Sequence, residues 1–205
     1  MTMFDNSYKT IAKPSEGLFK DKGSKFIAYA FPVATEQEAR QKLDAVKAEH
    51  PKARHHCWAY RLTPDRSVFR INDDGEPSGT AGRPILNTLL SADVTNIMLI
   101  VVRYFGGTLL GVPGLINAYK TAAADALKQA QIIEKPITDI YRLEFAYLYM
   151  NDVMRIVKEG NLPILKQQFD NTCTIELAVP KLQVNAVVDK LEHIENIQLT
   201  YLYTS

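Results

Sequence analysis

Three carboxylates fall within four residues, Asp73, Asp74 and Glu76, in the run D-D-G-E-P-S-G-T-A-G-R-P from Asp73 to Pro84. Acids this close can hold Mg²⁺ through water, and Gly75, Gly79 and Gly82 let the backbone approach a ligand. Ser78 and Thr80 stand where a starting helix offers unpaired N–H groups to an anion, and Arg83 adds charge beside them. The same residues also admit a structural reading: a tight turn, a helix cap, and carboxylates paired with Arg61, Arg70 or Arg103. Both readings stay open at this level.

A second glycine-rich run, R-Y-F-G-G-T-L-L-G-V-P-G, covers Arg103 to Gly114. Gly106 and Gly111 have the outer spacing of a phosphate loop, but Val112 and Pro113 occupy the positions of its Lys and Ser/Thr. The dinucleotide pattern G-x-G-x-x-G is not met either. Arg103 reads as a phosphate or RNA contact, or as a counterion for Asp73 and Asp74. In H-H-C, His55 to Cys57, strand alternation puts His55 and Cys57 on one face and His56 on the other. Two ligands are too few for zinc and Cys173 is remote. Same-face neighbours lie about 7 Å apart, too far for a Cys–His bond. No G-x-S-x-G, H-E-x-x-H or paired-cysteine motif occurs, so the sequence offers no catalytic set.

Several elements must carry these residues. Extended pieces at 8–12 and 16–20 flank Pro14, and S-K-F-I-A-Y-A-F-P-V (Ser24 to Val33) reads as a strand with Phe26 opposite Ile27, Tyr29 and Phe31. Thr35 and Glu38 form a capping box for a helix buried through Ala39, Leu43 and Val46, ending before Pro51. Strands follow at His55 to Leu62 and Ser67 to Asn72. A helix beginning near Ser78 or Thr80 buries Ile85, Leu86, Leu89 and Leu90. The strand Asn96 to Tyr104 is apolar on both faces and is expected at the centre of its sheet. Leu115 to Ile132 reads as the longest helix, its alanines implying close packing. From 136 onward the order is strand (Asp139 to Tyr149), helix (Asp152 to Glu159), strand (Ile164 to Asp170), strand (Thr172 to Val179), helix (Leu182 to His193), strand (Ile197 to Tyr203). A turn is expected at Asp170–Asn171. This is the ferredoxin-like βαββαβ order.

The fold class is therefore α+β in two domains, 1–135 and 136–205. The 205 residues suffice for both cores, and 46% hydrophobic with 23% charged residues excludes disorder. The longest apolar run, Ile97 to Val102, is far short of a membrane span. M-T-M-F-D-N-S-Y lacks a secretory pattern and the two cysteines lie far apart, so a cytoplasmic protein is expected. Residues 1–135 hold 18 Lys/Arg against 14 Asp/Glu and residues 136–205 hold 6 against 9, so net charges of +4 and −3 sit behind the overall +1. Lys9, Lys13, Lys20, Lys22 and Lys25 crowd the first strands.

D-D-G-E-P-S-G-T-A-G-R-P-I-L and V-V-R-Y-F-G-G-T-L-L-G-V-P-G-L, with G-S-K-F-I-A (Gly23 to Ala28) and H-H-C-W-A-Y (His55 to Tyr60), resemble the signatures of the IMPACT family, in particular its bacterial YigZ-like branch. Pro113 departs from the glycine usual there and stiffens the loop. The resemblance implies an N-terminal β/α domain like the second domain of a ribosomal small-subunit protein, and a ferredoxin-like domain like the last domain of elongation factor G. It further implies nucleic-acid binding or translational control. The expected function is a non-enzymatic protein contacting RNA or the ribosome, with no cofactor. Its contact residues would be Lys25, Arg54, His56, Ser78, Gly79, Thr80, Arg83, Arg103, Tyr104, Gly106 and Gly107, with Phe105 beside Tyr104 available to stack on bases. Two alternatives remain. One is an enzyme or sensor for a small phosphorylated ligand with Mg²⁺ on Asp73, Asp74 and Glu76; the other is a protein adaptor in which both loops are structural.

Overall fold

The computed structural model describes residues 6–170 and 172–205. The chain divides into two compact units, Tyr8–Lys135 and Pro136–Ser205, the latter joined by the segment that ends at Ser7. The turn expected at Asp170–Asn171 lies partly outside the described residues.

The first unit contains β1 (Ser7–Ile11), β2 (Ser15–Asp21), β3 (Ser24–Pro32), α1 (Glu36–Glu49), β4 (His55–Leu62), β5 (Val68–Asn72), α2 (Gly82–Ser91), β6 (Ile97–Tyr104), α3 (Gly111–Gln129) and β7 (Ile132–Pro136). Five strands form one sheet in the order β2-β3-β6-β4-β5, each neighbouring pair antiparallel. Strand β6 is central because Ile97 to Val102 bury side chains on both faces. On one face α1 packs Ala39 and Val46 against Tyr29, Tyr60, Met98, Ile100 and Val102. On the other, α2 and α3 pack against Phe26, Ala28, Cys57, Ala59, Leu99 and Val101. Strand alternation thus divides one sheet between two cores. The capping box forms: Thr35 Oγ1 accepts from the Glu38 N–H at 3.2 Å, and Glu38 Oε2 accepts from the Ala34 N–H at 2.7 Å.

Helix α3 lies almost in contact with β2. A Cβ at Gly17 would come within 2.2 Å of the Ala126 nitrogen and 2.8 Å of the Ala122 oxygen. Alanines on the helix and a glycine on the strand together permit this approach. Asp125 accepts the Leu18 N–H at 2.9 Å and Ser15 Oγ donates to the Ala126 carbonyl at 2.8 Å, tying the two elements further. The helix starts four residues before its expected position, which places Pro113 in the first turn rather than in the loop; the missing N–H costs nothing there. It also stops before the expected Ile132, because Ile132–Pro136 pairs with β1 instead.

The second unit contains β8 (Thr138–Phe145), α4 (Met150–Glu159), β9 (Ile164–Phe169), β10 (Cys173–Pro180), α5 (Val184–Glu192) and β11 (Gln198–Thr204). The sheet order β11-β8-β10-β9, antiparallel throughout, is ferredoxin-like. Val153, Ile156 and Val157 of α4 and Val187 and Leu191 of α5 cover one face. The expected strand to Tyr149 ends at Phe145, and Tyr147–Tyr149 form a 3-10 turn into α4. Among the described residues no helix is long and apolar enough to cross a membrane.

Replacing Gly17 by alanine should destabilise the first unit by about 3 kcal/mol, since neither backbone can yield without parting α3 from β2. Urea unfolding measures this; an unchanged midpoint would show that the two elements are not in contact.

Candidate functional site

Both glycine loops, the β2–β3 turn and the segment leading into β4 meet at one end of the five-stranded sheet. The end is set by the register: Lys25 at the start of β3 faces Tyr104 at the end of β6, and His55 at the start of β4 faces Arg103. Lys22 and Gly23 turn the hairpin with φ of 44° and 80°, as a tight two-residue turn between twisted strands requires. The second loop is fixed to that turn. A Cβ at Gly106 would lie 1.9 Å from the Gly23 carbonyl carbon, and the Gly106 N–H donates to Ser24 Oγ at 3.1 Å.

Behind the loops lies a buried polar cluster centred on Glu76. Its Oε1 accepts from Arg103 Nη1 at 2.6 Å and from the Tyr119 hydroxyl at 2.8 Å, with His55 Nε2 at 4.0 Å. The Arg103 guanidinium also lies 5.6 Å from the Phe26 ring centre and 5.5 Å from that of Phe105. Cys57 Sγ is 3.3 Å from the Tyr119 oxygen and 3.0 Å from the Asp73 carbonyl. Burial pushes both the Cys57 thiol and the Tyr119 phenol well above their ordinary ranges, so both keep their protons and act as donors. A thiol in that state is no nucleophile.

The three acids therefore do not share a centre, and among the described residues no group of three or more His, Cys, Asp or Glu is placed to hold a metal ion. Asp73 faces α2. Its Oδ1 accepts the N–H groups of Ala81 (3.0 Å) and Gly82 (2.8 Å), and its Oδ2 accepts that of Gly79 (2.9 Å). This carboxylate, eight and nine residues upstream, does the capping expected of Ser78 or Thr80, and α2 begins only at Gly82. Thr80 is buried and donates to the Pro77 carbonyl. Asp74 Oδ2 accepts the His56 N–H at 2.7 Å, and its carbonyl accepts from His55 Nδ1 at 2.8 Å. The helix terminus proposed for an anion thus already holds one.

Three expected contact residues are interior, Thr80 and the two that follow. Arg103 is 6% exposed, and its partner is Glu76 rather than Asp73, Asp74 or a phosphate. His56 is 7% exposed and donates through Nε2 to the His50 carbonyl at 3.2 Å. Burial lowers its pKa, opposed by that hydrogen bond and by Asp74.

The remaining residues reach solvent. Lys25, Arg54, Arg83, Ser78, Gly79, Gly106 and Gly107 are exposed, and Tyr104 is half-buried. Lys20 faces Lys25 across β2–β3, Lys25 faces Tyr104 across β3–β6, and Arg54 immediately precedes the β4 residue opposite Arg103. Directly opposed residues share a face, so Lys20, Lys25, Tyr104 and Arg54 make one row, roughly 14 Å long at the spacing of adjacent strands. His50 anchors the tyrosine, bridging its hydroxyl at 2.9 Å and that of Tyr29 at 2.7 Å. Among the described residues none of Lys20, Lys25, Arg54 or Arg83 has a carboxylate partner. Phe105 and Leu109 on the second loop and Val112 in the first turn of α3 also stand exposed. Lys20 belongs to this surface although its sequence neighbourhood marked it only as one of several lysines; the hairpin pattern Lys20-x-Lys22-Gly23-x-Lys25 is the signal that pairs it with Lys25.

Fold and surface together define a two-domain α+β protein that presents a cationic end of an antiparallel sheet. The Impact N-terminal domain matches residues 22–127, and the chain belongs to the IMPACT family. It is 30% identical to IMPACT family member YvyE of Bacillus subtilis (strain 168), over 93% of this chain and 88% of that protein. It is 34% identical to IMPACT family member YigZ of Escherichia coli (strain K12), over 83% and 84% of the two chains. A crystal structure described as that of a hypothetical protein superposes with a TM-score of 0.78 at 32% identity, over 97% of this chain and 98% of the other.

Arg103→Ala or Glu76→Ala, each leaving a buried charge unpaired, should cost about 3–5 kcal/mol in urea unfolding; a cost typical of a surface residue would place the pair in solvent. His56 gives a pH dependence. Its pKa in the folded protein lies below that of the unfolded chain, near 6.5, so its contribution to stability is complete above about pH 6.5 and falls on acidification. His56→Gln should flatten that slope in melts between pH 7.5 and 5; a slope identical to the parent's would assign it to other groups.

Proposed function

We propose that the protein binds RNA, on the ribosome or free, through the cationic end of its first domain, and that it acts without catalysis in the regulation of translation in the cytosol. The observation that carries this reading is the opposition of Lys20 to Lys25 on adjacent strands with no ion pair to either among the described residues. Like charges directly opposed are unfavourable, and a chain of phosphates relieves them. The acids that would otherwise neutralise this end, Asp73, Asp74 and Glu76, are turned into backbone N–H groups and the interior. Tyr104 and Phe105 offer rings between and beside the cations. Membership of the IMPACT family directs the reading to translation, the role the resemblance implied. The second domain supports assigning the contact to the first: the face of its sheet away from α4 and α5 carries Arg142, Glu144, Thr174 and Glu176, with Arg142 bonded to Glu176, and presents no ring on its central strands.

Affinity should be mainly electrostatic. Lys25→Ala, Arg54→Ala and Arg83→Ala should each weaken binding of labelled single-stranded RNA several-fold and reduce the slope of log K against log salt by about one. Fluorescence anisotropy at several salt concentrations, with co-sedimentation on purified bacterial ribosomes, reads both. Affinity and slope unchanged in all three variants would end the proposal.

A further inference from the structure

The motif H-H-C-W-A-Y places Trp58 and Tyr60 on the face of β4 away from Cys57, and neither enters the surface described above. Their rings lie parallel, 5.5 Å between centres and 6° between planes, and form one wall of a cleft of about 290 Å³ between α1 and the β4–β5 edge. Leu43 and Met98 supply an apolar floor. The rim is charged. Arg40 lies one helical turn beyond Glu36 on α1, and Arg70 reaches in from β5, where it faces Tyr60. Glu36 is 3.5 Å from Arg70, and burial first and then this carboxylate push the Tyr60 phenol up, so it keeps its proton. One carboxylate thus stands against two guanidinium groups, leaving an excess positive charge over an aromatic and apolar slot.

We propose that this cleft binds a nucleotide, with the base against Trp58, the Glu36 carboxylate accepting from an exocyclic amino group, and the phosphate held by Arg40 and Arg70. Each part of the ligand follows from a part of the cleft. A guanidinium pairs with phosphate through two parallel hydrogen bonds, an indole takes the flat face of a base, and the volume, at the low end for small-molecule sites, suits one nucleotide rather than a dinucleotide. An aliphatic ligand would leave the excess positive charge of the rim unmet. The nucleotide is either free or part of a single strand, and the site does not depend on the loop-end surface proposed for RNA.

Trp58 is the single tryptophan of the chain, so its emission reports the cleft directly. The full-length protein is titrated with AMP, GMP, CMP and UMP, with adenosine, and with a single-stranded RNA hexamer, using N-acetyltryptophanamide to correct for absorption. Saturable quenching by a mononucleotide, half complete below about 1 mM and weakened about fivefold to tenfold in Arg40→Ala or Arg70→Ala, assigns a free nucleotide; adenosine should bind more weakly than AMP by a similar factor. Saturable quenching by the hexamer alone, lost in Arg70→Ala but kept in Arg83→Ala, assigns a base within a strand. No saturable change with either, or quenching indifferent to both arginines, overturns the proposal. Because Arg40 and Arg70 are surface residues, their variants fold as the parent does, and because Lys25, Arg54 and Arg83 lie elsewhere, loss of RNA binding at the loop end leaves the mononucleotide result intact.

Discussion

A buried carboxylate must be met by charge and hydrogen bonds or it will not stay ionised in a core, and Glu76 meets that demand through Arg103 and Tyr119. The three residues come from the first glycine loop, the end of the central strand and the long helix. One ion pair therefore joins the loop to both layers behind it. Asp73 does the same for α2, supplying from a distance the acceptor that the helix terminus lacks locally. The glycines around these acids serve the internal fit: a Cβ at Gly82 would lie 3.0 Å from the Asn72 nitrogen of β5, and Gly106 sits directly on Gly23.

This inward turn of the acids shapes the outside. With the loop carboxylates occupied by Arg103 and backbone N–H groups, Lys20, Lys25 and Arg54 along the same sheet end have no counterion among the described residues, and a chain of net charge +1 carries a locally positive margin. Asymmetry between the halves of the sequence is modest; it is the fold that concentrates it.

The architecture was largely legible because it rests on period and composition. The both-face apolarity of Ile97 to Val102 placed β6 at the centre, the capping box at Thr35 and Glu38 located α1, and the regular alternation after Pro136 spelled out the ferredoxin-like order. The site was less legible. Sequence proximity grouped Asp73, Asp74 and Glu76, but a turn sends neighbouring side chains to different partners, and the partner of Glu76 on α3 lies 43 residues away. Arg103 looked exposed because it ends a strand; only the packing of the loops over it shows otherwise. The start of α2 was misplaced because Ser78 and Thr80 resemble caps locally, whereas the cap arrives from upstream. The end of α3 was overextended because Ile132 continues an apolar pattern that a strand can use equally well.

Strands β1 and β7, which open and close the first domain, are hydrogen-bonded neighbours. A module whose entrance and exit lie side by side can be spliced into a host chain at little entropic cost, since the host's two ends need not be drawn together. Such a unit is easily gained or carried along by recombination, with its cationic margin intact.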